Sequence, residues 1–218
     1  MITLPPGRFT PLFKTADNAG PVLVDAFMLD VHPVTNSDFL AFVSRHPAWR
    51  RSRVPRIFAE TSYLSHWTSD LTVPASQTHS PVTEVSWFAA KAYCRAQNKR
   101  LPRVAEREYV MSKVPAARLL AWYAQPPPHV LPDVNRGRAD AYGIKDLAGP
   151  VWEWTLDFNA MAAGQATEND TRFACGGAAV GAVKTGDYAT FMRYAFRGSL
   201  KANYTLKSLG FRCAKEKS

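Results

Sequence analysis

Two carboxylates flank a tight turn in residues 146–154, which read DLAGPVWEW, and their spacing suggests cation binding. Asp146 and Glu153 stand on either side of Gly149-Pro150, a dipeptide typical of turns. A turn exposes backbone carbonyls, and calcium prefers a mixture of carboxylate and carbonyl oxygen ligands. The alternative is a surface turn anchored by the flanking tryptophans, because calcium sites usually need more oxygen ligands than this segment supplies. On residue chemistry alone we favour the surface turn.

The five histidines could contribute to a zinc or iron site only if the fold gathers them, since no pair has metal-ligand spacing on one helix. The chain also lacks a serine nucleophile elbow, a phosphate-binding glycine loop and a dinucleotide fingerprint. Generic motifs therefore indicate no class of enzyme. The histidine positions are His32, His46, His66, His79 and His129.

The three cysteines, Cys94, Cys175 and Cys213, show no Cys-x-x-Cys spacing. This argues against a zinc knuckle and against a thioredoxin-like redox pair. Because the count is odd, at least one thiol should be free or paired between chains.

Short elements must position these residues. The partly alternating residues 22–30 predict a strand that leads into a turn at Pro33. Apolar spacing predicts helices over 36–46, 86–97 and 104–112. The expected N-caps of the first two helices are Thr35 or Asn36, and Ser86.

The composition predicts one α+β domain over residues 1–218 that is poor in regular secondary structure. Hydrophobic residues make up 46% and charged residues 21% of the 218 positions, as in globular proteins, which excludes a disordered chain. Six Trp, twelve Phe and sixteen Pro suggest large aromatic anchors in an irregular fold. From Pro115 onward the sequence shows little long-range periodicity, and we expect the domain as a whole to contain a large share of irregular structure.

The net charge of +9 invites a nucleic-acid hypothesis. The charge is scattered, and no nucleic-acid motif accompanies it, so a solvated face or a docking surface for an acidic partner is favoured. No apolar run approaches the roughly 18 residues of a membrane-spanning helix, and the N-terminus shows no signal peptide. The densest basic cluster surrounds Trp49 and comprises Arg45, Arg50, Arg51, Arg53 and Arg56.

Eight short motifs, in order along nearly the whole chain, resemble one family. They are Pro33-Val34-Thr35-Asn36 with Phe39; Pro81-Val82-Thr83-Glu84-Val85-Ser86-Trp87 with Ala92-Tyr93-Cys94; Lys99-Arg100-Leu101-Pro102 with Ala105-Glu106 and Glu108-Tyr109; Tyr142-Gly143-Ile144-Lys145-Asp146-Leu147-Ala148-Gly149; Val151-Trp152-Glu153-Trp154; Gly176-Gly177; Arg193-Tyr194 with Arg197; and Gly210-Phe211-Arg212-Cys213. The chain thus resembles the formylglycine-generating enzyme and sulfatase-modifying factor family, whose fold is related to C-type lectins.

The resemblance implies one structural calcium ion, because the turn matches a calcium site of the family. Its ligands would be the carboxylates of Asp146 and Glu153 and the backbone carbonyls of Gly149 and Val151. The family's second calcium site draws on a segment that is shortened here, around 133–140, and is expected to be absent.

The resemblance also implies a disulfide between Cys94 and Cys213, because family members with both cysteines join them. Cys175 would then be a free thiol. The alternative is two buried thiols in a cytoplasmic protein. A persistent disulfide would instead imply an oxidising compartment, so we expect a periplasmic or secreted protein.

The departures from the family bear on catalysis. Members that oxidise a sulfatase cysteine to formylglycine bind copper through two cysteines placed shortly before the Arg-Tyr pair. Counting back from the closing motif places Lys184 and Ala189 at these positions, and neither supplies a thiolate for Cu(I). We therefore expect no copper at the usual site and no formylglycine generation. Smaller departures are Arg103, Val104 and Arg107, where Thr, Glu and Trp are common, Pro150 in place of Asn, and Cys175 in place of Arg.

Three functions stay open at this point. The first is a non-catalytic accessory protein that binds a protein or peptide, for example in the maturation of a secreted metalloenzyme. Members without the cysteine pair resemble accessory proteins of copper nitrite reductase systems, which gives one context. The second is a metal-dependent oxidoreductase with a different site, built from histidines or Cys175. The third is nucleic-acid binding, which depends on the charge alone.

Overall fold

The computed structural model describes residues 1–11, 20–126, 128–159 and 185–217. The chain opens with four short strands, β1 (Ile2–Leu4), β2 (Gly7–Phe9), β3 (Val22–Val24) and β4 (Phe27–Leu29). The outer strands pair with each other and so do the inner ones: β1 pairs antiparallel with β4, and β2 pairs antiparallel with β3. The strand predicted over 22–30 is therefore two strands, because its halves take different partners.

The three predicted helices are confirmed. They are α1 (Asn36–Arg45), α2 (Trp87–Ala96) and α3 (Val104–Met111). Thr35 caps α1 and forms a capping box with Asp38, in which each side chain accepts the other residue's backbone N–H at 3.1 Å. Ser86 caps α2 by accepting the N–H of Ala89 at 3.2 Å.

The part of the chain after Pro115, where the sequence shows little long-range periodicity, contains helices that the sequence did not predict. Two further helices lie there, α4 (Ala116–Tyr123) and α5 (Thr185–Gly198). Helix α4 consists mainly of Ala, Leu and Arg, which are strong helix formers, and Pro115 precedes its first residue. Helix α5 packs against α4 and is fixed by distant ion pairs, which local periodicity does not reveal.

The described residues contain three more short strands, β5 (Trp152–Glu153), β6 (Leu209–Gly210) and β7 (Ala214–Glu216). β5 pairs in parallel with β6, and β7 pairs antiparallel with β4, so β4 is the middle strand of a three-stranded sheet. The α+β class is confirmed. None of the helices described is both long and apolar enough to cross a membrane.

Two hydrophobic clusters form the interior. The first gathers α1, α2 and the large buried side chains Trp67, Trp154 and Phe211. The second lies between the three-stranded sheet, α3 and α4, and includes Leu29, Val110, Leu119, Ile144 and Leu147. Buried charges occupy the segments that pass from one cluster to the other, and they organise the site described next.

Candidate functional site

Glu153 is buried between two arginines. The guanidinium of Arg212 donates from Nε and Nη2 to its carboxylate, with Nη2 to Oε1 at 2.8 Å. Arg107, on α3, approaches the other oxygen with Nε to Oε2 at 3.2 Å. Burial would raise the pKa of Glu153, but the two positive charges outweigh it and hold that pKa below its usual value. Glu153 is therefore an ionised carboxylate at the centre of a buried triad.

Arg212 uses its remaining donors to hold two backbone segments. Its Nη1 donates to the carbonyls of Asp30 at 3.2 Å and Val31 at 3.0 Å, and its Nη2 to that of Lys145 at 3.1 Å. Because the side chain is fully buried, these bonds replace its hydration. The closing Gly-Phe-Arg-Cys motif thus connects β4 to the turn segment.

Arg107 is less well satisfied. Its Nη1 is buried and finds no hydrogen-bond acceptor within the described part of the chain. Burial and the neighbouring charge of Arg212 together keep the pKa of Arg107 below its usual value, despite the attraction of Glu153. The triad therefore contains one surplus positive charge.

Glu108, the next residue on α3, forms a second buried ion cluster with α5. Its Oε2 lies 2.7 Å from Nη2 of Arg193, and its Oε1 lies 2.7 Å from Nη2 of Arg197. Burial opposes ionisation, but the charges of Arg197 and Arg193 lower the pKa of Glu108 below its usual value. The two arginines are four positions apart, so both face α3 from one side of α5. One glutamate thus fixes α5 against the body of the fold.

A cavity of about 450 Å³ lies beside this second cluster, between the end of α3, the start of α4 and the middle of α5. Ala189 and Arg193 line it from α5, and Ala116 and Leu119 line it from α4. Arg193 is held in place by Glu108 and by the carbonyl of Ala189, to which its Nη1 donates at 3.1 Å. The cavity therefore has a wall of fixed geometry on its α5 side.

Ala189, one of the two positions at which the resemblance implies a catalytic cysteine, lines this cavity. Its methyl group is buried, and the described residues that line the cavity include no cysteine or histidine. A copper ion bound by thiolates would need sulfur ligands here, and the described wall does not fit one. Lys184, the other expected position, lies outside the described residues.

The residues predicted to bind calcium take other partners. The carboxylate of Asp146 accepts hydrogen bonds from the backbone N–H groups of Asn135 at 2.6 Å and Gly137 at 3.0 Å. The carboxylate of Glu153 is paired with Arg107 and Arg212. Gly149 and Val151 lie in the connecting turn between them. As placed, this donor set does not fit calcium, because one carboxylate already has two cationic partners. Calcium binding stays a prediction that metal titration tests.

The cysteines and histidines are also placed. A disulfide joins Cys94 on α2 to Cys213 before β7, and it lies in the first hydrophobic cluster. Cys175, with Gly176 and Gly177, lies outside the described residues.

His66 is held between Oε2 of Glu84 at 2.9 Å and Oδ1 of Asn36 at 3.1 Å. In the part of the chain that is described, no three His, Cys, Asp or Glu side chains form a set that could hold a metal ion.

Sequence reasoning missed that Glu108 and Glu153 are buried partners of distant arginines, and that Arg107 is one of the two arginines on Glu153. One signal was present, because Arg212 stands between Phe211 and Cys213 in an apolar segment. A charged residue so flanked is rarely buried without a partner. The partners themselves could not be identified, since Glu153 lies 59 positions before Arg212.

Comparisons with known proteins agree with this architecture. A family model described as "Sulfatase-modifying factor enzyme 1-like domain" matches residues 1–217. The chain is 28% identical over 271 residues to inactive C-alpha-formylglycine-generating enzyme 2 from Bos taurus, covering 98% of this chain and 87% of that protein. It is also 28% identical over 280 residues to the formylglycine-generating enzyme of Bos taurus, covering 98% and 74%.

Among solved structures, PvdO from Pseudomonas aeruginosa has a similar fold, with a TM-score of 0.53 and 16% sequence identity. The match covers 99% of this chain and 93% of that one. Together with the family match over residues 1–217, the fold shows that this chain belongs to the sulfatase-modifying factor family, whose members include the formylglycine-generating enzymes.

Proposed function

We propose that this protein is a non-catalytic member of the family that binds a polypeptide partner in the cavity between α3, α4 and α5. The observation that carries the proposal is Ala189, a buried methyl group in the cavity wall at a position where the resemblance places a catalytic cysteine. Sequence identity does not separate the two roles, because the relatives named as inactive and as active are equally similar at 28%.

The second buried cluster supports a binding role. Arg193 and Arg197 carry part of the family resemblance, yet here both are committed to Glu108. They hold the α5 wall in position. A wall fixed by buried ion pairs is preorganised, which reduces the entropic cost of binding a peptide.

We further propose that the partner is a secreted metalloenzyme in the course of maturation, such as copper nitrite reductase. The motivation is the resemblance of cysteine-lacking members to accessory proteins of such systems. The Cys94–Cys213 disulfide supports an oxidising compartment such as the periplasm, since disulfides persist there and are rare in the cytosol.

One experiment tests catalysis. The purified protein is incubated with a cysteine-containing sulfatase peptide, Cu(I) and oxygen, and the peptide is analysed by mass spectrometry. We expect the cysteine to remain unchanged. Conversion to formylglycine would overturn the non-catalytic assignment.

A second experiment tests the binding site by calorimetric titration against metal-free copper nitrite reductase. Ala116→Trp should fill the cavity mouth and weaken binding by at least about tenfold, which is about 1.4 kcal/mol. The matched control is Ala117→Trp, which adds the same side chain to α4 at an exposed position outside the cavity. Equal affinities of the two variants would refute the cavity as the site, and no binding by the unmodified protein would refute this partner.

A further inference from the structure

A second concavity, of about 470 Å³, lies between residues 48–58 and helix α2. Its described lining is mainly apolar. We call it the aromatic pocket and define it by Trp49, Val54, Pro55, Phe58, Phe88 and Ala92. Phe58 is 39% exposed and the adjacent Ile57 is 73% exposed, so apolar surface continues onto the rim. Contiguous exposed apolar surface around a concavity marks an interaction site more often than scattered apolar residues do.

The rings of the aromatic pocket pack at steep angles to one another. Phe58 and Phe88 lie edge to face, with centroids 5.2 Å apart and planes at 74°. Trp49 lies 6.4 Å from Phe58 at 59°. Rings arranged in this way line a pocket with room for one inserted side chain. They do not form the parallel platforms on which nucleic-acid bases stack.

The rim of the aromatic pocket is strongly basic. Lys91 and Arg95 line it from α2, and Arg53 and Arg56 flank the lining pair Val54-Pro55 in the chain. Arg53, Arg56 and Arg95 are exposed, and Lys91 lies over the ring of Trp87 at 4.5 Å. None of these four cations forms an ion pair with a carboxylate of the described residues.

The other three arginines of the basic cluster around Trp49 donate to backbone carbonyls, and Arg45 donates to that of Ala41 at 3.2 Å. Arg51 donates to the carbonyl of Trp67 at 2.8 Å, and Arg50 donates to that of Val43 at 3.4 Å. The side chains of the four rim cations differ in forming no hydrogen bond or ion pair within the part of the chain that the structure describes, although Lys91 contacts the ring of Trp87. They remain available to carboxylates of a partner.

We propose that the aromatic pocket binds an acidic polypeptide segment that inserts one aromatic or large aliphatic side chain. The inserted side chain would contact Phe58 and Phe88, and flanking carboxylates would face Arg53, Arg56, Lys91 and Arg95. A second copy of this chain is disfavoured as the occupant, because its net charge of +9 would repel the basic rim. The site is separate from the α3–α5 cavity, and the inference does not depend on the proposed function.

The test uses a fluorescein-labelled peptide of twelve residues, all Asp and Glu except for one central Phe, and measures fluorescence anisotropy. We expect saturable binding that weakens as salt rises, since exposed charges are screened. Replacing the central Phe by Ser should weaken binding by about tenfold or more, from the loss of one buried aromatic side chain.

Protein variants locate the binding site. Arg53→Glu combined with Arg95→Glu should weaken binding by at least about tenfold and flatten its salt dependence. Phe58→Ala should weaken it by about fivefold or more. The matched controls are Arg8→Glu and Leu23→Ala, an exposed cation and an exposed apolar residue that face each other across β2 and β3. These controls should bind as the unmodified protein does.

Three results would overturn the proposal. The Ser peptide binding as tightly as the Phe peptide would show that no side chain is inserted. Equal loss in the Arg8→Glu control would show that net charge alone drives binding. Tighter binding of a twelve-nucleotide oligothymidine, lost in the same rim variants, would assign the surface to nucleic acid. If Phe58→Ala fails to fold, the charge reversals at exposed positions still decide the question.

Discussion

Replacing Glu153 by Gln should destabilise the protein severely. The substitution keeps the shape of the side chain and one oxygen acceptor but removes the charge between Arg107 and Arg212. Three hydrogen bonds from Arg212 and one contact from Arg107 converge on this carboxylate. Removing one member of a buried ion pair typically costs about 3–5 kcal/mol, because the remaining charge is left uncompensated.

This cost is large against the total stability of a domain. With a free energy of unfolding of about 5–15 kcal/mol, Glu153→Gln should remove a substantial part of it. For a chain of this size, each kcal/mol lowers Tm by about 2–4 °C, so we expect a decrease of about 6–20 °C. Urea unfolding followed by circular dichroism, with the disulfide intact, measures the change.

Arg107 provides an internal check on the mechanism, because its Nη1 is buried without an acceptor in the described chain. Arg107→Met alone should change the free energy of unfolding by less than about 1 kcal/mol, because Glu153 remains paired with Arg212 and the change removes a buried guanidinium whose Nη1 has no acceptor in the described chain. In the Glu153→Gln background, the same change should recover about 1–2 kcal/mol by removing one uncompensated charge. The control is Asp133→Asn at the exposed pair with Arg136, where the loss should be below about 0.5 kcal/mol.

Acidic pH should lower the free energy of unfolding through two buried carboxylates, Glu108 and Glu153. The pKa values of Glu108 and Glu153 are both below the usual 4.5, so their contribution is complete above that pH and is lost as pH falls towards the lower values. The stability of Glu153→Gln should therefore decline less steeply below pH 4.5 than that of the unmodified protein. A cost of Glu153→Gln under about 1 kcal/mol, or one equal to that of Asp133→Asn, would refute the buried triad.

Three further predictions follow from other features. Replacing Cys94 and Cys213 by Ala should lower the free energy of unfolding by up to about 4–5 kcal/mol, because the disulfide closes a loop of sequence separation 119. Peptide mass mapping without reduction checks the bridge, and three free thiols would disprove it. Gly210→Ala should lower the free energy of unfolding by about 2 kcal/mol or more, since the added Cβ would lie 2.7 Å from the backbone oxygen of Val82. A Tm within about 2 °C of the unmodified value would contradict this. The resemblance predicts one calcium ion at Asp146 and Glu153, so calcium titration should show stoichiometric uptake that is lost in Asp146→Asn. An absence of saturable uptake would refute this site and would agree with the other partners that both carboxylates have.

Local features of the fold could be predicted from the residues themselves. Of the long-range contacts, the Cys94–Cys213 disulfide was expected only through the family resemblance, and the buried ion pairs were not predicted. The helix caps at Thr35 and Ser86 could be predicted, because each cap forms its hydrogen bond with a residue three positions along the chain. Helix α5 was missed because its placement depends on Glu108, 85 positions before Arg193. The partners of Glu153 could not be predicted for the same reason, because Arg107 and Arg212 lie 46 and 59 positions away in the sequence. A carboxylate beside a turn carries no local sign that the fold will bring two arginines to it.

The order of the sheet β1–β4–β7 has a consequence for how the chain can fold. The middle strand needs a partner from the far end of the sequence, and Arg212 reaches Asp30 across 182 positions. Contacts this distant slow folding, because a long loop must close before they form. During synthesis, β4 would keep one edge unpaired until β7 leaves the ribosome, and an unpaired edge is a template for association with other chains. A chain cut before residue 209 would retain that open edge permanently, and aggregation would outweigh any simple loss of stability.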